Sequence, residues 1–255
     1  ARGQRACRSR RRHPRPAGGR VNAHQPTDAA IAALREPLRA GAAALGLALD
    51  EAQLGGLLAY VELIGRWSRV YNLTAVRTPA DMLTHHLLDS LAVIAPLRRQ
   101  LGTGARARRT RLLDVGSGAG LPGVVVALAC PDIDVTCVDT VAKKAAFIQQ
   151  VAAALRLPNL RGLHARVESL SAAQGQGFDV VASRAFASLA DFTAWSRAAL
   201  AKDGVWMAMK GKHPQDELAA LPPTVAVFHV EPLAVPGLGA ERCIVWMRPA
   251  PPVLT

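Results

Sequence analysis

An acid followed by three glycines at alternate positions, Asp114-x-Gly116-x-Gly118-x-Gly120, interrupts an apolar stretch and constrains everything around it. The residues before the turn, Arg111–Val115, read as a short buried strand, and those from about Pro122 to Ala129 read as a helix. Glycines crowded between a strand and a helix let the backbone approach a ligand closely and adopt φ > 0. Such a turn belongs at the carboxyl end of a strand in an α/β unit, where open sheets bind their ligands.

The alternation continues downstream. Strands are expected at Asp134–Val138, Leu160–His164, Phe178–Ser183 and Val205–Lys210, with helices at Lys143–Leu155 and Leu189–Leu200. Val225–Val230 and Cys243–Arg248 close as a pair across a Pro/Gly-rich connection, which predicts one antiparallel strand at the end. The expected fold is α/β and Rossmann-like: a mostly parallel seven-stranded sheet with helices on both faces.

A helical segment precedes it. Thr27-Asp28 caps a helix to about Leu45. Asp50 starts a second, with Leu54, Leu57, Leu58, Val61, Ile64 and Trp67 at helical spacing. Thr78-Pro79 starts a third, carrying Leu83, Leu87, Leu91 and Ile94. Pro96 and the stretch Gly102–Arg109 read as a loop. Three parts follow: a basic tail over 1–26, a helical segment over 27–100 and the Rossmann-like domain over 101–255.

The net charge is +12, but residues 1–20 hold eight arginines and no acid, so the rest of the chain carries only +4. That tract cannot bury enough apolar area to fold and is expected to be disordered. It would add at most a sequence-independent affinity for phosphate. The four cysteines, Cys7, Cys130, Cys137 and Cys243, form no CxxC pair and have no histidine cluster at zinc spacing. We expect no metal, no disulfide and a reducing, cytoplasmic compartment. No run of 18 apolar residues predicts a membrane span.

Two cofactors compete for the turn. Gly118-Ala-Gly120-Leu-Pro-Gly123 fits G-x-G-x-x-G, and Asp139 follows about twenty residues later, as in a dinucleotide fold. A pyrophosphate, however, tolerates no nearby carboxylate. S-adenosylmethionine has no phosphate and carries a sulfonium and an ammonium, which an acid at Asp114 on the lip of the turn would suit. Asp139, ending the second strand, can accept ribose hydroxyls of either ligand. The balance of charge favours the methyl donor.

Several strings carry a closer likeness: Trp67-Ser-Arg-Val-Tyr-Asn-Leu-Thr74, His86-Leu-Leu-Asp-Ser90, Leu113-Asp-Val-Gly-Ser-Gly-Ala-Gly-Leu-Pro-Gly123, Ser183-Arg-Ala-Phe-Ala-Ser-Leu189 and Met209-Lys-Gly211. On these, over about residues 45–248, the chain resembles the RsmG (GidB) family of bacterial 16S ribosomal RNA guanine-N7 methyltransferases. The resemblance implies a class I S-adenosylmethionine-dependent methyltransferase fold behind a small helical segment. It implies 16S ribosomal RNA or the small subunit as partner, with methylation near the decoding region. By matching positions, Gly116, Gly118 and Leu121 would contact the cofactor, Val167 and Glu168 would border the adenine, and Arg184 would line the pocket. The family's Arg before the histidine is His85 here.

The chemistry asks little of the side chains. Guanine N7 already has a free lone pair, so its methylation is an in-line displacement that needs alignment and no general base. No catalytic acid or base is therefore expected. After the fourth strand stands Ser183-Arg-Ala-Phe186, without the Asn/Asp-Pro-Pro-aromatic turn of an amino-methylating enzyme and without a Pro-Cys nucleophile. Arg184 and Phe186 are candidate contacts to the target base. Lys210 and Lys212 are candidates for RNA phosphate, or residues of a solvated turn. His86 and Asp89 share a helical face and read as an acid–base pair or a structural one. A monomer is expected. Two alternatives stay open: a non-catalytic RNA-binding module on a degenerate fold, and an NAD-dependent oxidoreductase.

Overall fold

The computed structural model describes residues 28–76, 78–102, 108–172 and 177–251. The arginine-rich tail with Thr27, and most of the Gly/Arg-rich stretch before the first strand, lie outside the described residues.

The first expected helix is two: α1 (Asp28–Ala32) and α2 (Arg35–Ala44). Pro37 explains the break, since proline is tolerated in a helix's first turn but not inside it. α3 (Glu51–Tyr71) starts where Asp50 predicts. The Asp50 carboxylate accepts the Gln53 N–H at 2.7 Å, and the Gln53 side chain accepts the Asp50 N–H at 2.9 Å, closing a capping box. Asn72, in the left-handed conformation, ends the helix.

The third helical stretch bends in steps through α4 (Pro79–Met82), a π-helical turn over Leu83–Leu88, α5 (Asp89–Leu91) and α6 (Ile94–Leu101). Pro96 lies in the first turn of α6, not in a loop. A helix leaves its first N–H groups unpaired anyway, so proline loses nothing there.

The strands are β1 (Thr110–Val115), β2 (Ile133–Asp139), β3 (Leu160–His164), β4 (Phe178–Arg184), β5 (Leu200–Lys210), β6 (Val225–Pro232) and β7 (Cys243–Pro249). Their order is β3-β2-β1-β4-β5-β7-β6, parallel through β5, with β7 antiparallel to both neighbours. The expected mostly parallel seven-stranded sheet is present. Between them lie α7 (Gly123–Ala129), α8 (Ala142–Ala154), α9 (Leu189–Ser196) and α10 (Gln215–Ala219). The helix expected to reach Leu200 stops at Ser196 and tightens into a 3-10 turn, so β5 begins five residues before its predicted start. α10 was not foreseen.

Leu54, Leu57, Val61 and Ile64 of α3 are fully buried in one cluster with Val124 and Phe147. Each such side chain contributes roughly 1.5–3 kcal/mol. The helical segment and one face of the sheet therefore share a single core. The opposite face packs Val181 and Trp206 against Leu189 and Phe192 of α9. The chain leaves β1 toward β2 and β3 on one side and returns to β4 and β5 on the other. The ends of β1 and β4 thus flank the crevice where sheets of this kind bind ligands.

Candidate cofactor site

The glycine turn takes the conformation its residues allow. Gly116, Gly118 and Gly120 have φ of 65°, 60° and 94°. A Cβ at Gly116 would stand 2.6 Å from the Phe186 ring, so the close approach there requires glycine as much as the dihedral does. Five of the turn's amides are already engaged. Gly116 and Ser117 donate to the Val138 carbonyl, Gly118 to the Asp139 carboxylate at 3.0 Å, and Gly120 and Leu121 to the Ser117 carbonyl.

Asp139 is the hinge of this arrangement. One oxygen takes the Gly118 N–H and the other takes the Val141 N–H at 2.9 Å, with the Lys144 ammonium at 3.7 Å. Each oxygen keeps a lone pair for a ligand hydroxyl. Asp139, Gly116, Val167, Glu168, Phe186 and Trp195 line a hollow of about 340 Å³ above the strand ends. Glu168 is exposed, and its carboxyl is held below the usual range by the hydrogen bond from Arg166 at 2.7 Å.

Trp195 was missed in the sequence. It is 40% exposed, and its ring meets Phe186 edge-on at 5.8 Å. Only its place on the helix that follows the Phe186 turn could have signalled it. Tyr60 was missed too, because it sits in the apolar stripe of α3 and reads as core. Its hydroxyl donates to the Ala119 carbonyl at 2.6 Å, tying the helical segment to the glycine turn.

Asp114 is not at the lip of the hollow. It is fully buried below the turn, where one carboxylate oxygen accepts the Gly123 N–H at 2.8 Å and fixes the start of α7. Its other oxygen has no hydrogen-bond partner among the described residues. Burial pushes the carboxyl up to about 7, against the pull of the Gly123 N–H and the Arg184 charge. A raised carboxyl stabilises the fold while protonated in both states, and that contribution is lost as pH climbs through the folded value. Wild-type urea midpoints are therefore expected to fall between about pH 4 and pH 7 relative to those of Asp114→Asn, the difference levelling above pH 7. Parallel midpoints for the two proteins across that window would contradict the assignment.

Other predicted residues are held elsewhere. Leu121 is buried under the turn. Gly118 lies in the turn, but its amide serves Asp139. Arg184 turns away from the hollow, and one of its guanidinium nitrogens donates to the His85 carbonyl at 2.8 Å and to Asp89 at 2.9 Å. The second Asp89 oxygen accepts from Arg242 at 2.9 Å. His86 pairs with the Thr74 hydroxyl at 2.9 Å, not with Asp89. Burial lowers its imidazole to about 4, which keeps it neutral. The acid–base reading of His86 and Asp89 therefore gives way to a structural one. His85 is exposed and serves Arg184 through its backbone, so the change from arginine leaves that contact intact. Lys210 is bound to Glu217 of α10 at 2.8 Å and is not free for phosphate, while Lys212 is exposed.

Cys130, Cys137 and Cys243 are buried free thiols. Among the described residues no cluster of three or more His, Cys, Asp or Glu could hold a metal, and no helix is long and apolar enough to cross a membrane.

Residues 53–245 match the model of the family described as GidB, rRNA small subunit methyltransferase G. A protein named ribosomal RNA small subunit methyltransferase G from Paracidovorax citrulli (strain AAC00-1) is 65% identical over 224 residues, covering 85% of this chain and 90% of that one. A relative of the same name from Polaromonas sp. (strain JS666 / ATCC BAA-500) is 67% identical over 213 residues, covering 84% and 92%. Among solved structures, MtNAS in complex with MTA and tNA superposes with a TM-score of 0.50 at 14% identity, over 88% of this chain and 77% of that one. That likeness is one of fold. With the glycine turn, the strand order and these relatives together, the chain belongs to the GidB, or rRNA small subunit methyltransferase G, family on a class I, Rossmann-like methyltransferase fold.

Proposed function

We propose that this small-subunit ribosomal RNA methyltransferase, which uses S-adenosylmethionine, delivers its methyl group to N7 of a guanine near the decoding region of 16S RNA. The observation that carries the cofactor half is the engagement of five of the turn's amides by protein acceptors, with Asp139 and Glu168 beside the hollow. A diphosphate needs free N–H donors, and most of those of this turn are already taken, which speaks against the NAD-dependent alternative. A ligand with ribose hydroxyls and cationic groups suits the same residues.

The bound cofactor supplies an electrophilic methyl on a sulfonium. The protein's own part is positioning. Asp139 would accept the ribose hydroxyls, Val167 and Glu168 would border the adenine, and Gly116 would allow close approach. Phe186 and Trp195 line the hollow and would shield the bound donor from water on that side. N7 attacks with its own lone pair, so no residue has to remove a proton. The ionisable groups nearby are committed to structure: Arg184 and Arg242 to Asp89, Lys210 to Glu217, His86 to Thr74. Such commitment suits a reaction that relies on alignment. The enzyme works as a cytoplasmic monomer on this reading.

Deletion of the gene, followed by chemical cleavage mapping of N7-methylguanine, tests the reading. One cleavage site in 16S RNA is expected to vanish and to return on complementation. An unchanged pattern would remove the N7-guanine assignment. Calorimetry adds a second readout: S-adenosylmethionine is expected to bind and NAD to give no heat.

A further inference from the structure

The Trp67–Thr74 string has no role in the cofactor site, yet its exposed members stand beside it. Val70 is 70% exposed and Tyr71 is 41% exposed at the end of α3. The Tyr71 ring is held in place: Trp67 backs it with centroids 5.2 Å apart, and the Lys143 ammonium lies 5.8 Å from its centroid. Lys143 lies in the first turn of α8, and the next residue, Lys144, lines the hollow. This aromatic end of α3 therefore adjoins the cofactor site along the first turn of α8.

Where the strands begin, arginines are neutralised by carboxylates: Arg98 by Asp132 at 2.5 Å, Arg108 by Asp179 at 2.8 Å and Arg109 by Asp134 at 2.7 Å. At the end of α3 and the start of α8, Arg69 and Lys143 are exposed and have no carboxylate partner among the described residues. Unpaired cations around a fixed, half-bare aromatic ring suit a flexible polyanion whose bases can unstack, since base–aromatic stacking and phosphate neutralisation are the two terms that hold single-stranded nucleic acid.

We propose that the end of α3 with the first turn of α8 receives the RNA strand next to the target guanine, Tyr71 stacking an unpaired base while Arg69 and Lys143 take phosphates. The proposal rests on the ribosomal RNA reading above and adds where the RNA docks.

The test uses the full chain and 16S RNA transcribed in vitro, with binding measured by filter retention over a potassium chloride series. Arg69→Glu with Lys143→Glu is expected to weaken RNA binding at least about tenfold and to lower the salt slope by about 1.4, the value for two single-strand phosphates. Tyr71→Ala is expected to weaken binding about tenfold with the salt slope kept. Affinity for S-adenosylhomocysteine, by calorimetry, stays at the wild-type value in all of them. In methyl transfer, KM for RNA rises while kcat at saturating RNA holds. Arg156→Glu with Lys202→Glu makes the same charge change away from this surface and is expected to leave binding within about twofold.

Wild-type RNA affinity in the α3 and α8 variants would overturn the surface, as would an equal loss in the Arg156 and Lys202 control. These failures differ from failure of the function itself, in which the wild-type protein would leave 16S RNA unmethylated.

Discussion

Asp89→Ala is expected to cost about 3–5 kcal/mol of folding stability, the range for removing one partner of a buried ion pair. The Asp89 carboxylate is 3% exposed and lies between two guanidiniums, Arg184 from the end of β4 and Arg242 just before β7, each 2.9 Å away. Without it, two positive charges face each other where water reaches them poorly. The residue also belongs to α5, so the same bonds tie the helical segment to the strand ends. Asp89→Asn keeps the shape and one acceptor and is expected to lose about half as much. Urea unfolding of the three proteins at pH 7 measures this. A loss below about 1 kcal/mol for the alanine variant would mean that the cluster behaves like a solvated surface pair.

The second large effect falls on the cofactor. Asp139→Ala is expected to weaken S-adenosylhomocysteine binding about 100-fold or more, read by calorimetry. Hydrogen bonds to a charged group contribute about 1.5–3 kcal/mol each, and in the proposed complex this carboxylate would make two sets of them. Toward the protein it accepts from Gly118 and Val141, which shapes the turn and starts α8. Toward the ligand, on the proposed reading, it would accept ribose hydroxyls. Asp139→Asn retains an acceptor for one set and is expected to lose about tenfold. If the alanine variant bound within threefold of wild type, Asp139 would not be the ribose residue.

The position of Asp139, at the end of β2 beside the hollow, was legible in the sequence because a strand end and a fixed offset from a glycine turn define a place. Asp114 was not, and the reason lies in the pleat. Successive strand residues point to opposite faces. Leu112 belongs to the core under the helical segment, and Leu113 and Val115 to the core under α9. Asp114 follows Leu112, which sends its carboxylate beneath α7 instead of up to the hollow. Chain order shows that an acid precedes the turn but not which face it takes. Lys210 was misjudged differently: its partner Glu217 sits on α10, a short helix with no apolar period to announce it. Arg184 and Asp89 lie far apart in the chain, and no local pattern connects them. The helices broke where Pro37 begins a new first turn, and α6 continued past Pro96 for the same reason.

The hydrogen bond from Tyr60 to the Ala119 carbonyl, with the side chains of α3 packed on Val124 and Phe147, means that the nucleotide-type half of this enzyme has no finished outer wall of its own. A polypeptide cut just ahead of β1 would present that greasy flank to water and leave the glycine loop without its brace. Chimeras that borrow the sheet from this enzyme will have to bring α3 with it.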